Sequence, residues 1–99
     1  MLAALPGMGT VWNVTTLAGP APGTIASGDI DATSYAVRFD YPIGIATDGT
    51  NLYVADAGNN KIRKIVISTG VVTTIAGPAQ GNTSFGDTDA TGNAARFFS

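Results

Sequence analysis

The chain has no cysteine, no histidine and no glutamate; its seven acidic residues are all aspartate. Without cysteine there is no disulfide framework, and the redox compartment cannot be read. Without histidine the commonest metal ligand and the commonest general base are both missing. Charged residues make up only 12% and the net charge is −2, which gives no basic footprint for nucleic acid. No stretch approaches the roughly 20 apolar residues of a membrane-spanning helix. The start, Met1–Trp12, carries no Lys or Arg and is broken by Pro6-Gly7, unlike a signal peptide, and reads as an N-terminal arm over 1–10. No Ser/His/Asp set, phosphate-cradling glycine loop or HExxH motif is present, and Gly7-Met8-Gly9 lacks the strand–helix frame a nucleotide site needs. No cofactor is implied. What the chain does have is 13 glycines in 99 residues, a turn-rich β composition.

The strands are legible between Tyr41 and Gly77. Pro42–Thr47 ends at Asp48-Gly49, a tight-turn pair in which glycine accepts φ > 0 and aspartate bonds its following backbone. Asn51–Asp56 alternates Leu52 and Val54 with Tyr53 and Ala55, and stops at Gly58-Asn59-Asn60. Lys61–Ser68 is rich in β-branched residues, and Val71–Ala76 follows the turn at Thr69-Gly70. Four strands with such short connections predict an all-β antiparallel meander. The central strands are apolar on both sides, so both faces are expected to be covered. Lys61, Arg63 and Lys64 on the third strand are expected to form a solvated edge.

An internal repeat organises the rest. Aligning Val14 with Val72, an offset of 58, lays residues 14–41 on 72–99 without a gap, and 16 of these 28 positions are identical. VTTLAGPAPG matches VTTIAGPAQG, and GDIDATSYAVRF matches GDTDATGNAARF. The chain therefore divides into the arm (1–10), a partial repeat of outer strand and long connection (11–40), a complete four-stranded unit (41–77) and a second connection (78–99). Each connection is too long for a hairpin. Asp31 and Asp89 look like N-caps, predicting one to two helical turns over about Ala32–Arg38 and Ala90–Arg96. Ala36 and Phe39 are expected to pack onto the sheet.

The unit resembles an NHL repeat, the blade of one class of β-propellers, through Pro42-Ile43-Gly44-Ile45-Ala46, Asn51–Asp56 and Asn60-Lys61-Ile62-Arg63. Lys61 stands where the family name has histidine. The Gly-Asp-x-Asp-Ala-Thr…Ala-x-Arg-Phe connections resemble those of bacterial members. The resemblance implies a four-stranded propeller-type blade whose faces pack on neighbouring blades. It implies a structural or binding scaffold for protein or glycan, with an extracytoplasmic full-length parent. The competing implication is a lyase or hydrolase propeller whose site lies in blades absent from this chain.

A repeat cannot bury its apolar faces alone. The chain is then a fragment of a longer protein, a subunit that self-associates, or a partner for another chain; self-association by strand exchange is the expectation. The outer strand is present twice, which places the expected interface at Val14, Thr16 and Leu17 and at Val72, Thr74 and Ile75. Asp29, Asp31, Asp87 and Asp89 resemble the start of a calcium loop, but the later ligands of such a loop are missing, and turn or cap formation is the plainer use. Asp56 and Arg63 are placed to pair across strands around the Asn59-Asn60 turn. Arg38 and Arg96 are expected to pair with Asp29, Asp31 or Asp40. Trp12, Tyr35, Tyr41 and Tyr53 are the polar aromatics; a Trp-Asn pair near a propeller rim could stack on a sugar, with strand packing or an interface contact the plainer use.

Overall fold

The computed structural model describes residues 2–6, 12–86, 88 and 90–96, with the side chains of 2–6, 12 and 13 outside that description. The described residues form an all-β protein with two antiparallel sheets. Strands β1 (Leu2–Pro6) and β2 (Trp12–Thr16) make a two-stranded sheet. Strands β3 (Pro42–Thr47), β4 (Asn51–Asp56), β5 (Lys61–Val66) and β6 (Val72–Ala76) form a four-stranded meander in chain order. The expected bounds of β3 and β4 are met; β5 ends two residues sooner because residues 67–69 already turn.

The first tight turn shows why β3 and β4 pair. The Asp48 carboxylate accepts the backbone N–H groups of Thr50 and Asn51 at 2.9 and 2.7 Å, closing an Asx turn with Gly49 at φ 92°. The Tyr53 hydroxyl donates to the same carboxylate at 2.9 Å, fixing the start of β4 to the turn.

Of the two copies of the outer strand, Val72–Ala76 takes the edge of β5 within its own chain, and the earlier copy pairs with β1 in the N-terminal arm. Register sets the two faces of the meander. Ile45, Val54, Arg63 and Thr74 form one cross-strand row, and Thr47, Leu52, Ile65 and Val72 the next row on that face. The long connection 19–40 and Leu17-Ala18, just after β2, lie against this face. The core is Ala18, Val37, Phe39, Val54, Ile65 and Val72, with Leu17, Ala32 and Leu52 packed around it.

Coverage within the single chain is graded. Every residue of β3 is exposed, Ile43 by 67% and Ile45 by 55%, whereas Val54 and Ile65 are fully buried. Only the outer half of one face is closed. The opposite face, with Ala46, Ala55, Ile62 and Lys64, is half-buried or exposed.

The helical turns are shorter than expected. Each connection carries one 3-10 turn, Ser34–Ala36 and Gly92–Ala94, preceded by Thr33 and Thr91 in extended conformation and without a side-chain cap. Asp31 is drawn away to the sheet instead of capping. The chain is extended again at Val37, so Val37 rather than the exposed Ala36 packs down beside Phe39.

Candidate functional site

The most concentrated chemistry among the described residues lies where connection 19–40 crosses β5. Residues alternate along a strand, so Lys61, Arg63 and Ile65 point to one face and Ile62, Lys64 and Val66 to the other. Lys61 and Arg63 are buried, at 2% and 0% exposure, which overturns the solvated edge expected for them. The two aspartates of the connection have the same two-residue spacing and meet them in order. Lys61 Nζ lies 2.6 Å from Asp29 Oδ2, and Arg63 Nη2 lies 2.7 Å from Asp31 Oδ1.

Arg63 uses all of its donors. Nε and Nη2 both donate to Asp31 Oδ1, at 3.0 and 2.7 Å. Nη1 donates to Asp56 Oδ2 at 2.7 Å and to the Arg38 carbonyl at 3.0 Å, and Nη2 also donates to the Ile30 carbonyl at 2.8 Å. A guanidinium has five N–H groups, and five bonds are made. The Phe39 ring lies under the guanidinium, 4.9 Å from its centroid to Cζ. The expected pairing of Asp56 with Arg63 is therefore present. Asp56 also receives Asn59 Nδ2 at 2.7 Å and the Asp40 amide at 2.8 Å, so it holds the β4–β5 turn and the entry to β3 together. Asn59 Nδ2 continues to the Gly28 carbonyl at 2.8 Å.

Asp31 extends the network to β6. Its Oδ2 accepts the Thr74 amide at 3.0 Å and its Oδ1 the Thr74 hydroxyl at 3.1 Å. The β6 edge is closed further by Val72 N–H donating to the Ala32 carbonyl at 2.8 Å and by the Thr33–Val71 bridge. Asp29 Oδ2 also accepts the Gly81 amide at 2.8 Å, so the second connection touches the same cluster.

For a metal the arrangement is unfavourable. The cations that face Asp29 and Asp31 are side chains of β5, and a divalent ion would have to displace them or sit beside them. No group of three or more His, Cys, Asp or Glu suited to a metal occurs among the described residues. Asp87 and Asp89 lie outside the described residues. The expected pairing of Arg38 and Arg96 with Asp29, Asp31 or Asp40 does not occur among the described residues: Arg38 Nη1 donates to the Tyr35 and Val37 carbonyls at 2.6 and 2.7 Å, and Arg96 Nη1 to those of Asn93 and Ala95 at the same distances. These bonds wrap each arginine back onto its own 3-10 turn.

The Asp48 carboxyl is held well below the usual carboxylate range, first by the Asn51 amide, then by the Thr50 amide and the Tyr53 hydroxyl. The same bond raises Tyr53 above its ordinary value of 10.0. Tyr35 and Tyr41 are exposed, and the Trp12 side chain lies outside the description. Of the six expected interface residues, Val72 belongs to the core of the single chain and Leu17 packs against it, Thr74 holds Asp31, and Thr16 is half-buried. Val14 and Ile75 are exposed by 59% and 41%. A shallow groove open to solvent runs beside β3, lined by Gly44, Ile45, Ala46, Tyr53, Val54, Ala55 and Ile62.

Sequence reasoning missed that Lys61 and Arg63 are the counterparts of Asp29 and Asp31. The signal was available: the Asp29-x-Asp31 motif and Lys61-x-Arg63 at strand spacing have matching periods of two. No family model, no curated protein and no solved structure matches the chain.

Proposed function

We propose that the chain is a non-catalytic binding scaffold built as an NHL-type propeller blade, which self-associates and presents its loops to a protein or glycan. The observation that supports this most is the open inner half of the sheet. All six residues of β3 are exposed, and the row that is sealed at Val54 and Arg63 stays uncovered at Ile45. The outer half of that face is closed by a segment of the same chain, so the surface that remains is of the kind a repeat neighbour covers.

The charged groups support a structural role over catalysis. Asp29, Asp31, Asp56, Lys61 and Arg63 are bonded to one another and to backbone, and the two cations are buried. A catalytic acid or base needs access to a substrate proton; Asp56, Lys61 and Arg63 are buried, and both oxygens of the partly exposed Asp31 are taken by Arg63 and Thr74.

The test is a binding screen of the purified chain against a glycan array and against protein fractions, with parallel lyase and hydrolase assays on polysaccharide and ester substrates. Saturable binding without turnover supports the proposal. Turnover that tracks the purified chain would replace it with the enzyme reading.

A further inference from the structure

The repeat is not only in the sequence; the second connection has folded like the first. Gly19 N–H donates to the Ser34 carbonyl at 3.0 Å, and Gly77 N–H to the Gly92 carbonyl at 3.1 Å. Ile30 bridges Arg38 as Thr88 bridges Arg96. The positions correspond one for one at the offset of 58.

The two copies differ in what they cover. The first is docked on the meander: Ser34 N–H donates to the Gly70 carbonyl at 3.0 Å, and the Ala32 carbonyl accepts from Val72 N–H at 2.8 Å. The equivalent groups of the second copy, the Gly92 amide and the Ala90 carbonyl, have no hydrogen-bond partner among the described residues. A connection with the docking shape and unpaired docking groups needs a sheet of the same kind, and this chain's own sheet is already occupied.

We infer that the second connection docks on the meander of a second copy of this chain, in the seat held there by residues 19–40, and carries its own four-stranded sheet with it. This rests on the self-association proposed above and specifies the surface and the occupant. An exchange of the two connections would by itself gain nothing: Gly86, Asp87 and Asp89 repeat Gly28, Asp29 and Asp31, which bond to the meander, while the buried Val37 is matched only by the smaller Ala95. The gain lies in the strands attached. Connection 19–40 is attached to the two-stranded β1–β2 sheet, and coverage of the meander stops before β3. The second connection is attached to a sheet of four strands. Replacing the narrow sheet by the wide one extends the cover across β4 and β3 and removes Ile45 from water. The apolar surface that the incoming sheet turns towards it includes Ala55 and Ile62.

The Thr33–Val71 bridge supplies the test. Hydrogen bonds flank this pair on both sides, so it is a non-hydrogen-bonded antiparallel pair, with Cα atoms roughly 4.5 Å apart and suited to a disulfide. In the exchanged state Thr91 of one copy takes the place of Thr33 beside Val71 of the other. All three residues are exposed, and the chain has no cysteine of its own. Full-length chains carrying Val71→Cys alone and Thr91→Cys alone are mixed in a thiol–disulfide buffer and run on a non-reducing gel. A mixed covalent dimer should form in several-fold excess over the dimers each chain forms by itself. A second variant, Thr33→Cys/Val71→Cys, locks the closed chain when oxidised; its mass should fall to that of one 10.0 kDa chain and recover on reduction. If the wild-type chain assembles but the mixed dimer shows no excess, or the oxidised lock leaves the mass unchanged, the exchange is wrong while self-association stands. A wild-type chain that remains single at every concentration overturns both.

Discussion

Arg63 on β5 and Asp31 in the connection lie 32 positions apart in sequence and are joined by two hydrogen bonds to one oxygen, at 3.0 and 2.7 Å. The guanidinium is fully buried and Asp56, its second partner, is fully buried as well. Removing one member of such a pair leaves a buried charge without compensation. Arg63→Met should therefore destabilise the chain by about 3–5 kcal/mol in denaturant unfolding. Arg63→Lys keeps the charge but loses the fork that reaches Asp31, Asp56 and two carbonyls together, and should cost about 1–3 kcal/mol. A lysine variant as stable as the wild type would mean that the fork geometry contributes nothing.

Gly77 ends β6 with φ 103°, and a Cβ there would lie 2.6 Å from the Asn60 carbonyl oxygen and 2.7 Å from Lys61 Cα. Both obstacles are backbone and cannot step aside. Gly77→Ala should destabilise by about 2–4 kcal/mol, above the roughly 1–2 kcal/mol of the left-handed conformation alone. Gly23→Ala is the comparison, since its φ is 82° but nothing lies within 4 Å of the added carbon. Equal losses for the two substitutions in parallel melts would contradict the close packing at Gly77.

The Asp48 turn gives a pH dependence of stated sign. Its folded pKa is depressed from the ordinary 3.8, so the turn stabilises the chain above that value and the contribution is lost as pH falls through the lower folded pKa. Tyr53 titrates in the opposite sense: its folded pKa lies above 10.0, so its contribution is complete below 10.0 and is lost as pH rises through the raised value. NMR titration of the Asp48 carboxyl carbon should find its midpoint below that of a free aspartate. In Tyr53→Phe that midpoint should move back up. An unchanged midpoint in Tyr53→Phe would remove the hydroxyl from the account.

Ile45 belongs to the sealed row by register yet is 55% exposed. In the isolated chain Ile45→Lys should therefore alter stability by no more than about 0.5 kcal/mol. In an assembly that covers β3 the same charge would be buried without a partner and would weaken association at least tenfold, read as the shift in the concentration at which mass rises. Loss of the fold, or association of unchanged strength, would contradict the graded burial of the sheet.

The four-stranded meander was legible because its signals are local. Asp48-Gly49 and Gly58-Asn59-Asn60 punctuate strands whose β-branched residues do not suit a helix, and the bounds of β3 and β4 follow from them. The burial of Lys61 and Arg63 was not legible, because charge on a strand says nothing about which face receives a distant segment. Burial there depends on Asp29 and Asp31 arriving from about 32 residues away. The helical turns are shorter than the sequence suggests for a related reason. Asp31 has the chemistry of an N-cap, but a buried arginine and the Thr74 amide compete for its carboxylate and win. The pairing of the duplicated outer strand also lay beyond the sequence, since both copies carry the same Val-Thr-Thr and only tertiary context assigns one to β5 and the other to β1.

Within the single chain, connection 19–40 covers half of one face of the sheet, and the exchange proposed above would cover the rest. Sedimentation velocity of the full chain over a wide concentration range measures the consequence most directly. The account predicts a mass that rises with concentration to a whole multiple of 10.0 kDa. A mass that stays at one chain throughout that range would contradict it.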